Sequence, residues 1–245
     1  MGRRFVMSDV HAEYELFMKL LSEIGFTEED EIYIFGDIID KGESSVRLAK
    51  YIFSQDNIFV SLGNHEYEFL KLYEAQMQES DGDYDAVLER LRAYFPNDGH
   101  LLDWETVDRI ESLPLYIERD DFIGVHAGVQ LDKEGRAIPP ALLPLEEIIY
   151  NRSFKSPSVL PRESKCVFFG HTSARAIFPD ASIIVYKKEG TRGDNIRDYI
   201  KVHLDTGAFV SGILGCFCID DCRCYFVKRD EAGLVRHKLA RFEEV

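Results

Sequence analysis

Five short polar clusters punctuate this chain, each directly after a run of apolar residues. They are Asp9-Val10-His11, Gly36-Asp37-Ile38-Ile39-Asp40, Gly63-Asn64-His65-Glu66, His126-Ala127-Gly128 and Gly170-His171-Thr172. Their carboxylates, amide and imidazoles suit two metal ions better than one. Asp9 and His11 are two residues apart, so on an extended exit from a strand they project to one side and give an ion one oxygen and one nitrogen. A carboxylate such as Asp37 can bridge two cations, Asn64 adds a neutral oxygen, and His126 and His171 add imidazole nitrogens. Hard oxygens mixed with imidazole suit Mn²⁺, Fe²⁺ or Zn²⁺ better than Ca²⁺. Two such ions about 3.5–4 Å apart acidify a shared water and clamp phosphoryl oxygens. His65 follows Asn64 directly, so it points into the same site without reaching the same ion. An imidazole there can protonate a leaving oxygen if a carboxylate orients it, and Asp40 is the obvious partner. Taken singly, any of these histidines is more simply a surface or core residue; the joint pattern argues otherwise. His100, His203 and His237 fall outside it, although His203 lies close to a candidate substrate edge.

The elements that must position these residues follow an alternating pattern. Arg4 to Ser8 reads as a strand, and Glu13 to Gly25 as a helix with Leu16, Leu20, Leu21 and Ile24 inward and Gly25 as its C-cap. Strands at 31–35 and 57–62 flank a second helix at 44–53, and helix resumes at Glu66. This alternation predicts βαβ units and a largely parallel sheet, with Asp9, Asp37 and Asn64 at the carboxyl ends where ligands gather. Residues 67–112 read as a charged, mostly helical insertion with a loop at Asp81-Gly82-Asp83. Strands at 121–125 and 166–169 lead into His126 and His171. Residues 130–163 read as irregular around a short helix at 144–150. Antiparallel strands follow over 181–228, broken by a loop at 187–198. No repeat or linker divides residues 1–245, so one domain is expected.

Composition narrows the classes. A net charge of −15 argues against a nucleic-acid footprint, which needs clustered Lys and Arg. Bound divalent cations would offset part of that charge. No stretch approaches the ~20 apolar residues of a membrane span, and the N-terminus reaches acidic residues too soon for a signal peptide. A cytoplasmic protein is expected. Four of the five cysteines, Cys216, Cys218, Cys222 and Cys224, lie within nine residues. Their segment alternates like a hairpin around Asp220-Asp221. A two-residue turn would put the two cysteine pairs on opposite faces, and a three-residue turn would gather all four on one. Zinc binding or redox response is an alternative to a plain hairpin.

The clusters resemble the motif series of the phosphoprotein phosphatase family within the calcineurin-like metallophosphoesterases. That series reads GD-x-H-G, GD-x-x-D-R-G, GNHE, HAG and GH-T, and the likeness covers residues 5–212. The compact bacterial and phage serine/threonine phosphatases and the diadenosine tetraphosphate hydrolases are similar in size. The resemblance implies an α/β sandwich of two mixed β-sheets flanked by helices. It further implies that Asp9, His11 and Asp37 hold one metal, and Asp37, Asn64, His126 and His171 the other. His65 and Asp40 would form the proton-donating pair. Lys41 and Arg152, with Asn64, would hold the substrate phosphate. Lys41 stands where the family has arginine, which keeps the charge but loses the bidentate fork. Ala12 and Ser8 replace common glycines. Ser173 stands where nucleases and phosphodiesterases of this fold carry the second histidine of GH-x-H, which favours the phosphatase branch.

The resulting expectation is a phosphoester hydrolase with two divalent ions, manganese first, in which a metal-bridging hydroxide attacks phosphorus directly. Serine/threonine phosphoprotein is the first expected substrate and a dinucleoside polyphosphate the second. A non-catalytic metal-binding regulator is the reading from another class.

Overall fold

A computed structural model of the chain describes residues 2–81, 83–95, 98–162, 165–234 and 239–245. His237 and Gly82, named above, lie outside them. The first half alternates as expected: β1 (Arg4–Met7), α1 (Tyr14–Ile24), β2 (Glu31–Phe35), α2 (Ser45–Phe53), β3 (Ile58–Ser61) and α3 (Asn64–Glu79). Then come α4 (Tyr84–Arg92), α5 (Trp104–Glu111), β4 (Tyr116–Glu118), β5 (Phe122–Val125) and α6 (Leu145–Tyr150). The remainder is β6 (Cys166–Phe169), β7 (Ile183–Lys187), β8 (Tyr199–His203), α7 (Ala208–Ser211), β9 (Ile213–Cys218), β10 (Arg223–Lys228) and β11 (Ala240–Glu244).

These strands build two mixed sheets rather than one largely parallel sheet. The first has the order β10-β9-β1-β2-β3 and the second β11-β7-β8-β6-β5-β4. Parallel pairing holds for β1-β2-β3, where helices cross over, while β9 and β10 add antiparallel to the edge. Helix spacing signals crossovers but not strands that arrive from distant sequence, and in the first sheet it is those strands, β9 and β10, that depart from the expected parallel order. The two mixed sheets are those the family resemblance implied.

Strand alternation divides the core. Val6, Tyr33, Phe35 and Phe217 of the first sheet meet Phe122, Phe168, Val185 and Val202 of the second in one buried cluster. Phe5, Met7, Ile32 and Ile34 face the other way, against α1 and α2. Val125, Val167 and Phe169 likewise pack on Ile148 and Ile149 of α6. With helices outside both sheets, both faces of each central strand are buried, hence their continuous apolar runs. Burying each such side chain stabilises by about 1.5–3 kcal/mol. Gly25 ends α1 in the left-handed region, at φ 59, where its N–H reaches Ser22 and that of Phe26 reaches Leu21.

In the β9-β10 hairpin, Cys218 faces Arg223 and Phe217 faces Cys224, the register of the two-residue-turn alternative. Cys216 and Cys218 therefore pack toward α1, and Cys222 and Cys224 between the sheets. All four are buried free thiols raised by burial, and among the described residues they form no group that could hold a metal. Among the described residues no helix is long and apolar enough to cross a membrane.

Candidate active site

Every cluster sits just past a strand of one sheet or the other, and backbone hydrogen bonds join four of the five in pairs. Beyond β1 and β2, Asp9 N–H donates to Gly36 C=O at 3.1 Å, His11 N–H to Asp37 C=O at 2.9 Å and Ala12 N–H to Ile38 C=O at 2.8 Å. Beyond β5 and β6, Gly170 N–H donates to His126 C=O at 2.7 Å. His126 Nδ1 lies 2.9 Å from Phe35 C=O and so ties the second sheet to the first. Helix α3 starts at Asn64, two residues before the expected Glu66, which places Asn64 and His65 on its first turn.

Asp37 Oδ2 is the centre of the arrangement. It lies 3.6 Å from His11 Nε2, 3.4 Å from His126 Nε2 and 3.8 Å from His65 Nε2. Asp9 Oδ1 is 3.8 Å from His11 Nε2. On the other side, Asn64 Oδ1 is 3.0 Å from His126 Nε2 and 2.9 Å from His171 Nδ1, and those two nitrogens are 3.2 Å apart. His126 donates its Nδ1 hydrogen to a carbonyl, so its Nε2 presents a lone pair to the carbonyl oxygen of Asn64 and to His171. The Nε2 lone pair of His126 and the Asn64 oxygen face each other across 3.0 Å with no donor on either, a pair that a cation would join. Burial, with the charges of Lys41 and His65, holds His11 well below the ordinary imidazole value. Burial and His126 hold His171 at about 3. Both rings are thus kept neutral and ready to ligate. Separations near 3–3.6 Å are also what neighbouring ligands show around an ion with bonds of about 2.0–2.2 Å. The residues present fit two divalent ions.

A family model for calcineurin-like phosphoesterases matches residues 2–186. The chain belongs to that family. The symmetrical bis(5'-nucleosyl)-tetraphosphatase of Buchnera aphidicola subsp. Acyrthosiphon pisum (strain 5A) is 25% identical over 153 residues, 61% of this chain and 53% of that protein. Its counterpart from Wigglesworthia glossinidia brevipalpis is 33% identical over 127 residues, 51% of this chain and 44% of that protein. The chain spans about half the length of the curated relatives it matches. A solved structure of a suggested diadenosine tetraphosphatase superposes with a TM-score of 0.67 over 93% of both chains at 15% identity. A cold-active protein-tyrosine phosphatase of a Shewanella species gives 0.57, covering 94% of this chain and 78% of that one, also at 15%. These two share the fold.

The remaining expected residues surround the same cluster. His65 Nδ1 is 2.8 Å from Asp40 Oδ2. Burial opposes charge on that imidazole, but the Asp40 hydrogen bond and the Asp37 charge outweigh it and raise His65. Lys41 Nζ lies 2.7 Å from His11 Nε2, supplying beside the first ligand group the positive charge a bound cation would supply. Arg152 is exposed at the rim, near enough for its charge to lower His171. Outside the pattern, His203 is no substrate edge: it is buried, stacked on Phe169 with centroids 4.5 Å apart, its Nε2 against Thr172 C=O. His100 is half-exposed beside Asp98.

Strain collects here too. Nine described residues other than glycine have positive φ, and seven are Asp9, His11, Ala12, Asp37, Asp40, Lys41 and His171. Such residues cost about 1–3 kcal/mol each and persist where surrounding bonds over-determine them. Glu66 supplies four of those bonds. Fully buried, it accepts N–H groups from Asp37 (2.8 Å), Gly63 (3.0 Å), Ile38 (2.8 Å) and Ile39 (3.1 Å). Gly63 must be glycine, since a Cβ would stand 2.3 Å from Asp37 Oδ1 and 2.8 Å from Glu66 Oε2.

Sequence reasoning quoted Glu66 without giving it this role, and it missed two further groups. Asp205 is buried and hydrogen-bonded to Asp9; burial and the Asp9 charge raise it well above the carboxylate range. Lys201, fully buried on β8, donates to the carbonyls of Phe154 (2.7 Å), Ser156 (2.8 Å) and Val159 (2.7 Å) in the loop after Arg152. Burial lowers this ammonium to about 7, yet only the charged form has three hydrogens for three carbonyls. A lone buried lysine or a carboxylate beyond the last motif gives no sequence signal of such placement.

Proposed function

We propose that the chain hydrolyses phosphoric esters or anhydrides with two divalent metal ions, manganese first among them, and that its substrates are dinucleoside polyphosphates. The observation that carries the reaction class is the convergence of three imidazole nitrogens, from His11, His65 and His126, within 3.4–3.8 Å of Asp37 Oδ2. Asp9, His11 and Asp37 would hold one ion, and Asp37, Asn64, His126 and His171 the other. When bound, the ions would neutralise phosphoryl oxygens and acidify a water. The chain's own groups do the rest. Asp40 holds His65 Nδ1, so the Nε2 hydrogen faces the centre and can pass to the departing oxygen. Arg152 offers a planar fork to phosphate oxygens and Lys41 a point charge.

The substrate class is supported by the curated relatives, which are named as symmetrical bis(5'-nucleosyl)-tetraphosphatases. A point charge at Lys41 also tolerates the varied oxygen geometry of a polyphosphate chain better than a fork built for one phosphoryl group. Serine/threonine phosphoprotein, the first expectation from sequence, is the second reading; the exposed Arg152 favours it. The deciding experiment compares diadenosine tetraphosphate, a phosphopeptide and para-nitrophenyl phosphate on the manganese-loaded protein. The dinucleotide is expected to lead in kcat/KM by about a hundredfold, close to 3 kcal/mol of transition-state binding. A lead for the phosphopeptide would reverse the assignment. His65→Ala should lower kcat by roughly 10² with both metals retained, and unchanged turnover would remove His65 from the reaction.

A further inference from the structure

Asp40 Oδ2 accepts a second hydrogen bond besides that of His65. Tyr94 Oη donates to the same oxygen at 3.0 Å. Tyr94 lies just past α4, in the helical insertion whose sequence carries no readable motif. Its ring is held against Phe69 and Phe95, with centroids 6.0 Å and 4.9 Å away. Phe69 is buried and stands one helical turn beyond His65 on α3, so both project from one face. The insertion is thereby anchored beside the imidazole. The Asp40 backbone is left-handed, at φ 67, with its N–H held by Ser45 Oγ at 3.0 Å, and His65 and Tyr94 are the two partners of its Oδ2.

We propose that Tyr94 is a positioning residue of the acid pair, its hydroxyl fixing the Asp40 carboxylate and, through it, the direction of the His65 Nε2–H bond. The inference rests on the reaction class proposed above. In the step it serves, water oxygen bonds to phosphorus and the bond from phosphorus to the leaving oxygen breaks. The His65 Nε2 hydrogen moves to that oxygen, and the imidazole regains a proton from solvent. Asp40 remains a carboxylate and Tyr94 keeps its hydrogen throughout. Burial and the Asp40 charge push the Tyr94 phenol up to about 12, so the donor persists across the working pH range.

The test is Tyr94→Phe, which removes one oxygen from a residue 39% exposed and leaves the ring packing in place. Turnover of phenyl phosphate, a poor leaving group, is expected to fall about five- to tenfold, the worth of one hydrogen bond. Turnover of para-nitrophenyl phosphate, whose leaving group needs little protonation, should fall less than about twofold. KM and metal content should not change. Equal losses on both substrates would mean a general structural effect and overturn the proposal. In Asp40→Asn, which removes the carboxylate, the Tyr94 substitution should cost little more; additive losses would also overturn it. A readout independent of turnover is the low-field Nδ1–H resonance of His65 in the zinc-loaded protein, identified by its loss in His65→Ala. It should shift or broaden in Tyr94→Phe, and an unchanged signal would exclude the contact. A wild-type protein inactive on every phosphoester would refute the reaction class, while the resonance would still decide the role of Tyr94.

Discussion

Replacing Glu66 with glutamine tests whether one buried carboxylate holds the loop that carries Asp37 and Asp40. Its two oxygens each accept two backbone N–H groups, at 2.8–3.1 Å, in a side chain with no exposure. Glutamine keeps one oxygen and turns an NH₂ toward the other two donors, orphaning them. Each buried unsatisfied N–H costs about 1–3 kcal/mol, and the surviving bonds lose charge assistance. Against this, burial first and the Asp37 charge second raise the Glu66 carboxyl, so removing its charge relieves part of the penalty. The balance is a loss of about 3 kcal/mol, a large share of the ~5–15 kcal/mol stability of a domain. Urea unfolding reads it directly, by far-ultraviolet circular dichroism and by the fluorescence of Trp104, the single tryptophan. With a slope of about 3 kcal/mol per molar, the midpoint should fall by about 1 M at constant slope. A midpoint shift under about 0.2 M would show that the four bonds do not hold the loop.

Two further outcomes follow from buried charges. Burial first raises Asp9 and Asp37 to about 6 from an unfolded value near 3.8, so between those pH values the folded chain binds protons that the unfolded chain has released. Their contribution to metal-free stability therefore falls as pH rises through that window, and the gain in melting temperature from added Mn²⁺ should grow from pH 4 to 6 and then level off; a gain independent of pH would contradict the ligand assignment. Lys201→Met leaves three loop carbonyls without their donor, so unfolding free energy should fall by about 2–4 kcal/mol and KM rise several-fold with kcat nearly kept, because Arg152 loses its support; an unchanged midpoint and KM would refute that positioning.

How far the site could be read from sequence depended on how locally each residue is placed. Asp9, His11, Asp37, Asn64, His126 and His171 stand one to four residues past a strand, so the strand end fixes their position and a short motif suffices to find them. The same locality made β1, β2, β3 and the helices between them readable. Short edge strands such as β4 and β11 carry no period long enough to detect, and the antiparallel arrival of β9 beside β1 is decided by side-chain packing between the sheets. Tyr94, Asp205 and Lys201 reach the site only through that packing, and a tyrosine or lysine among others of its kind carries no mark of it.

Backbone conformation explains why the local motifs need distant support. Ala12 and Lys41 read from sequence only as departures from the family pattern. In the structure both are left-handed, at φ 58 and φ 65. A residue with a Cβ costs roughly 1–2 kcal/mol there, so the alanine that replaces a family glycine adds strain to a loop already bearing it at Asp9 and His11. The strain is tolerable because the loop is fastened on both sides. Ala12 N–H bonds to Ile38 C=O, and the Ile38 N–H in turn bonds to Glu66 Oε1. The bonds that shape the candidate metal ligands are therefore also those that let the sequence vary between them, and Glu66 joins the two functions.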